Sequence, residues 1–150
     1  MSAAVFEESI TDIEKERLAT SIIEVSKLTR ALLAMHLATI ALSPGEDDYM
    51  LALNPRGPTD LGEAAEELDV HLTALAASYD RLRVRNLVEV QGNVITLTKS
   101  GSATRSCIST IYRMVGEDIA DRLSVNRLEV VKKAFDDVQK NMKRALQKAR

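Results

Sequence analysis

The chain has a single cysteine, Cys107, so no internal disulfide can staple it, and a reducing cytoplasm is the expected setting. No basic-then-apolar leader opens it, so export is not expected. The most apolar run, Ala31–Leu42 (ALLAMHLATIAL), is too short to span a bilayer and contains His36, so no membrane partner is expected. It reads as the buried part of a helix. Internal repeats and low-complexity tracts are absent. No nucleophile–base pair and no glycine-rich phosphate loop occurs, which argues against an enzyme. His36 and His71 lie far apart, with no Cys or carboxylate at ligand spacing, so neither a metal nor another cofactor is expected.

What is present suffices for one domain over 1–150 with a real core. The formal net charge is −2, so the chain as a whole does not advertise nucleic-acid binding. Its distribution is more informative. From Ser43 to Val70 the acids Glu46, Asp47, Asp48, Asp60, Glu63, Glu66, Glu67 and Asp69 face Arg56 alone. From His71 to Arg113 the sign reverses, with Arg81, Arg83, Arg85, Lys99, Arg105 and Arg113 against Asp80 and Glu89. The end of the chain, KNMKRALQKAR, is basic again. A directed basic surface and ordinary solvated helix faces both fit this pattern.

Between Leu61 and Gly101 the residues spell helix, tight turn, helix and two-stranded ribbon. Leu61, Ala64, Ala65 and Leu68 recur at helical spacing, with Thr59 and Asp60 placed to cap them. Asp69 stands where that helix must stop, and Asp tolerates a left-handed turn. A second helix is expected from Leu72 to Arg85. Leu75, Ser78, Tyr79 and Leu82 would face inward, and Thr73, Ala74, Ala77, Arg81 and Arg85 outward. Leu87–Gln91 and Val94–Thr98 alternate as strands around Gly92-Asn93, residues suited to the positive φ of a two-residue hairpin. This is a helix-turn-helix followed by a wing, whose second helix is the element that enters a DNA major groove.

The flanks are helical. Ile10, Ile13, Ile22, Val25, Leu28, Leu32 and Met35 trace a stripe on a helix from about Asp12 to Ala41. Ser43-Pro44-Gly45-Glu46 resembles a capping box opening a helix through Tyr49, Met50 and Leu53, broken at Asn54–Pro58. Ser100 or Ser102 would open the next helix, with Ile108, Ile111, Met114, Val115 and Ile119 inward. Ser124 would cap the last, lined by Leu128, Val131, Phe135, Val138 and Met142, with Leu123 and Leu128 placed as a staple.

This order resembles the MarR family of bacterial transcription regulators. DVHLTALAASYDRLRVRNLVEV fits the family's recognition helix and first wing strand, including an Asp-Arg-Leu triplet at Asp80, Arg81 and Leu82. VITLTKSG fits the second wing strand and the Leu-Thr-x-x-Gly that opens the fifth helix, and LSVNRLEVVKKAFDDV fits the closing helix. The resemblance implies a mainly α winged helix-turn-helix fold with a small β-ribbon: a lobe over 43–100, and dimerisation helices over 10–42 and 101–150. It implies a homodimer joined through Ile13, Ile22, Ile119, Leu128, Val131 and Phe135. It implies a pseudo-palindromic duplex DNA operator met by His71, Thr73, Ala74, Ala77, Arg81, Arg85, Gly92, Asn93 and Lys99. A small apolar or aromatic effector often accompanies the family, and Met35, Met50 and Met114 could line a pocket for it.

Two departures qualify the resemblance. The ribbon closes at Gln91-Gly92-Asn93-Val94 without the basic tip residue common in family wings. Leu72, Ala74 and Ala77 hold positions often polar or basic, which removes donors to bases and phosphates. Thr73 then serves as a base or phosphate contact or merely as a first-turn cap, and an exposed Ala can pack on a thymine methyl. Asp80 pairs with a neighbouring Arg or stays solvated. His36 belongs to the core or a dimer interface. Cys107 is expected to be buried and inert, an exposed redox-active thiol being the alternative. The other functional class that remains open is a winged-helix dimer serving as a protein-interaction module.

Overall fold

The computed structural model describes residues 9–150. Helix α1 spans Asp12–Leu37 and opens on a complete capping box. The Thr11 hydroxyl accepts the Glu14 amide at 3.2 Å, and Glu14 accepts the Thr11 amide at 2.8 Å. These bonds from the Thr11 amide and hydroxyl hold the Glu14 carboxyl below the usual range. Past Leu37 the chain tightens into a 3-10 turn, Ala38–Ile40. It then reverses at Ala41, whose φ is 56°. The apolar run 31–42 thus divides: Leu37 and Leu42 are buried, while Leu32, Leu33 and Ala34 are half-buried.

Helix α2 is Glu46–Leu51. It starts two residues later than expected from Pro44, because Gly45 takes the cap position with φ 100°. Half of the expected box survives, as Glu46 still accepts the Ser43 amide at 2.8 Å. After the Asn54–Pro58 loop, Thr59–Asp60 forms a short strand, β1, which sequence alternation did not reveal. Two residues carry no period. Thr59 is therefore not a cap: its hydroxyl accepts the Asn54 amide at 2.7 Å, and its backbone pairs opposite Ile95. Asp60 alone caps α3, Leu61–Leu68, accepting from the Gly62 and Glu63 amides.

Asp69 closes α3 in the left-handed conformation, φ 53°, with the Val70 amide bonded back to the Ala65 carbonyl. Helix α4 follows at Leu72–Val84. Asn86, φ 59°, ends it in the same way, the Leu87 amide reaching the Leu82 carbonyl. Strands β2 (Val88–Gln91) and β3 (Val94–Leu97) form the ribbon. The antiparallel sheet has the order β1-β3-β2, so the first strand flanks the ribbon. In the ribbon's turn only Gly92 has positive φ, 60°, and Asn93 does not. Of the two expected special residues one is needed, which fits the hairpin type with glycine first.

Helix α5 is Lys99–Ala120. Neither Ser100 nor Ser102 opens it. Thr98 does, accepting the Gly101 amide at 2.9 Å while donating to the Asn86 carbonyl at 2.7 Å. Leu-Thr-x-x-Gly thereby acquires a physical meaning. The threonine pins the helix start to the end of α4, and the glycine lets the Leu87 backbone pass. A Cβ on Gly101 would lie 1.7 Å from the Leu87 carbonyl oxygen. Ile108, Ile111 and Val115 are buried as expected, but Met114 and Ile119 are exposed. Ser124 caps α6, Val125–Lys148, through the Arg127 amide.

The chain divides into two compact units, one ending at Val115 and the other running Gly116–Arg150. The first holds a core that includes Leu37, Leu53, Leu75, Tyr79, Leu82, Ile95 and Ile108. In the second, no residue of α6 is buried. No helix among the described residues is long and apolar enough to cross a membrane.

Gly101→Ala is expected to destabilise the protein by about 2–3 kcal/mol, since backbone rather than a flexible side chain meets the new methyl. A shift of the urea midpoint smaller than that of an ordinary surface substitution would contradict the close contact.

Candidate nucleic-acid interface

Helix α4 is seated by the residues its periodicity marks. Leu75, Ser78, Tyr79 and Leu82 are buried. Tyr79 is the largest of them; its ring meets Tyr49 edge-on at 6.3 Å, and its hydroxyl donates to the Tyr49 carbonyl at 2.9 Å. Ser78 donates back to the Ala74 carbonyl at 3.1 Å. With one side so fixed, the opposite side of α4 faces outward.

His71, Thr73, Ala74, Ala77, Arg81 and Arg85 are all exposed. His71, not Thr73, is the N-cap, and the His71 side chain makes no cap hydrogen bond. Thr73, Ala77 and Arg81 follow one another at four-residue steps and share a face. Between them stand the exposed Ala76 and Asp80. Leu72 and Val84 add apolar surface at either end, Val84 being 72% exposed.

The basic residues differ in their commitments. Arg81 donates to the Ser78 hydroxyl at 3.0 Å. Arg83 pairs with Asp80 at 2.9 Å, which answers where Asp80 finds its partner. Arg85 turns away from the outer face. Its Nη1 donates to both Glu46 oxygens, at 3.1 and 2.8 Å, and its Nη2 donates to the Ala41 carbonyl. Arg81 and Arg85 therefore do not act as a matched pair, although their spacing places them on one side of the helix.

Gly92 and Asn93 form the exposed tip of the ribbon. Lys99 is exposed too, but at the ribbon's root beside the end of α4. Strand β3 and Thr98 separate it from the tip, and the four strand residues alone span about 13 Å. The structure thus divides the expected contacts into a helix face, a tip and a root.

Helix α2 carries residues that sequence alone did not single out for this site. Asp47 is buried; one oxygen accepts the Gly45 amide and the other accepts the Tyr112 hydroxyl at 2.5 Å. Arg105 donates to the Met50 and Leu51 carbonyls at 3.1 and 3.2 Å, closing the far end of α2. Burial, followed by the Asp47 charge, raises the pKa of the Asp48 carboxyl. No sequence signal could have linked these groups, because Arg105 and Tyr112 lie 54 to 65 residues from their partners.

No family model and no curated protein matches the sequence. Solved structures do match. Escherichia coli MarR in its reduced form aligns over 91% of this chain and 98% of its own, with a TM-score of 0.69 and 19% identity. A mutant E. coli MarR complexed with operator DNA aligns over 85% and 99%, with a TM-score of 0.69 and 20% identity. A MarR family protein of Mycobacterium tuberculosis aligns over 81% and 93%, with a TM-score of 0.70 and 18% identity. The chain has the MarR fold.

Within that fold the expected joining residues stand largely uncovered. Ile13, Ile119, Leu128 and Phe135 are exposed, and Ile22 and Val131 half-buried. The methionines do not gather into a pocket: Met50 is core, whereas Met35 and Met114 are exposed. A groove of about 340 Å³ instead lies between the Asn54–Pro58 loop, α3 and Arg105, and no methionine lines it. Cys107 is exposed and not buried as expected, because it sits one position off the Ile108–Ile111–Val115 stripe.

The phenols of Tyr79 and Tyr112 have pKa values well above the ordinary value of about 10, chiefly through burial. A raised folded-state pKa means their stabilisation is complete below about pH 10 and is lost as the pH climbs past it toward the folded values. The alkaline fall in the urea midpoint is expected to be shallower in the Tyr79→Phe, Tyr112→Phe double variant. An identical slope in both proteins would sink this assignment.

Proposed function

We propose that this chain is a transcription regulator of the MarR family that binds duplex DNA as a homodimer, without catalysis. The observation that carries this reading is the pose of α4. Its apolar side is locked into the core, and its outward side is left free on a fold that, in a solved neighbour, is complexed with operator DNA.

On this reading α4 enters the major groove with its first turns at the base edges. His71 and Thr73 supply hydrogen-bonding groups, and Ala74, Ala77 and the Thr73 methyl supply apolar contacts suited to thymine methyls. Arg81 neutralises phosphate beside the groove. The ribbon tip, Gly92-Asn93, and the root, Lys99, meet separate stretches of backbone, where an uncharged tip contributes close approach rather than charge.

The homodimer is supported by apolar surface that a lone protomer leaves wet. Ile13, Leu18, Ile23, Val25 and Leu28 on α1 are exposed, as are Leu128, Val130, Phe135, Met142 and Leu146 on α6. Each helix thus leaves a row of large apolar side chains in water, which a soluble protein seldom does without a partner for them. A 24-residue helix without a buried residue also lacks the packing that normally holds helices. An effector would bind this dimer as a small, largely apolar molecule.

A second reading is a protein-interaction module. It is favoured by the exposed Leu72 and Val84, which give the outer side of α4 an apolar character unusual for a phosphate-rich partner.

Two measurements decide between these. A duplex selected from a random-sequence pool should bind with an affinity that falls steeply with salt, and Arg81→Ala should reduce the log–log salt slope by about one. Failure of the unaltered protein to enrich any duplex would favour the interaction module. In light scattering the protein should have twice the chain mass, and Phe135→Glu should yield protomers with sharply weakened DNA binding. A monomeric unaltered protein at micromolar concentration excludes the homodimer.

A further inference from the structure

Resting on the DNA-binding reading above, we infer that Arg85 is a positioning residue for the reading helix and not a DNA contact. Its guanidinium joins three segments of the first unit. It pairs through Nη1 with both carboxylate oxygens of Glu46, at the first residue of α2. It donates through Nη2 to the carbonyl of Ala41, the left-handed residue that closes the turn after α1. Arg85 itself is the C-cap of α4. Glu46 is held in turn by the Ser43 amide at 2.8 Å, so the acceptor is anchored by its own backbone as well as by the arginine.

The surroundings separate Arg85 from an arginine that grips phosphate. Its side chain is 35% exposed and that of Glu46 only 19%, so the pair is partly sheltered from water and salt. A phosphate reaching Arg85 would have to displace a two-oxygen carboxylate acceptor and then sit beside that carboxylate. Arg81 has no such obstacle, since it donates to the neutral Ser78 hydroxyl. The planar fork of arginine suits the three-way join, because it can meet a carboxylate and a carbonyl at once. The end of α4 is thereby tied to the end of α1. Any tilt of that end of α1 has a direct polar route to the reading helix.

The test compares Glu46→Gln, Arg85→Gln and the double variant on a duplex selected by the unaltered protein, over a range of salt. Positioning predicts that each single change weakens the selected duplex by about fivefold, the scale of a half-sheltered ion pair. The double variant should be no weaker than the singles, the salt slope should be unchanged, and affinity for unselected duplex should stay as it was. A phosphate contact predicts the opposite sign: Glu46→Gln would free the arginine and tighten binding, and Arg85→Gln would flatten the slope by about one. Either result overturns the inference, as do additive singles. Arg85→Lys guards against misfolding of the neutral variants. Lysine keeps the charge but not the fork, so positioning predicts weakened selected binding and a phosphate contact predicts retention. If the unaltered protein selects no duplex, the DNA-binding reading fails and this inference falls with it. Tighter binding by Glu46→Gln sinks the inference alone.

Discussion

Six residues of helix cannot hold themselves together in water, because nucleation costs more than so few backbone bonds return. Helix α2 is such a segment, and the arrangement of the first unit depends on how it is held. Side chains from elsewhere grip it along its length. Arg85 takes Glu46 at its start, Tyr112 takes Asp47, Tyr79 takes the Tyr49 carbonyl, and Arg105 takes the carbonyls of Met50 and Leu51 at its end. Two of these donors lie at α4 or its cap, and two lie on α5. The short helix therefore fixes the outward-facing α4 and the long α5 to the same small body. Removing one donor takes a bond from a buried or half-buried acceptor and loosens the hold on this segment.

The same reliance on distant partners appears where the backbone turns. Ala41, Asp69, Asn86 and Arg122 adopt positive φ without being glycine. Each pays part of the left-handed penalty that glycine would avoid. At Ala41, Asp69 and Asn86 the following amide bonds back into the preceding helix and offsets that cost. Gly101 answers a different need, since a side chain there would run into the Leu87 backbone. Helix order, turn geometry and the start of α5 are thus set by backbone contacts that leave the outer side of α4 free.

Much of this was legible in the residues. The inward stripe Leu75–Ser78–Tyr79–Leu82, the ribbon around Gly92-Asn93, the Asp69 turn and the Ser124 cap all express local rules of period and capping. The outward placement of Thr73, Ala74, Ala77 and Arg81 follows from the same period. What escaped has a common cause. Strand β1 is too short to show alternation, and Thr98 rather than Ser100 or Ser102 opens α5 because its hydroxyl also finds the Asn86 carbonyl. Met114 and Ile119 were placed inward because an average helical period does not resolve the edge of the buried stripe, and Cys107 because an unpaired cysteine is usually buried.

By itself the sequence determined the helices, the ribbon and which side of each helix is apolar, since those depend on neighbours within a few positions. Only the tertiary structure decided what the charged residues do. Arg81 and Arg85 are equivalent by spacing, yet Arg81 bonds to a hydroxyl on its own helix while Arg85 reaches a carboxylate 39 residues away. Electrostatic partners are chosen by distance in space, and a chain of residues records only distance along itself.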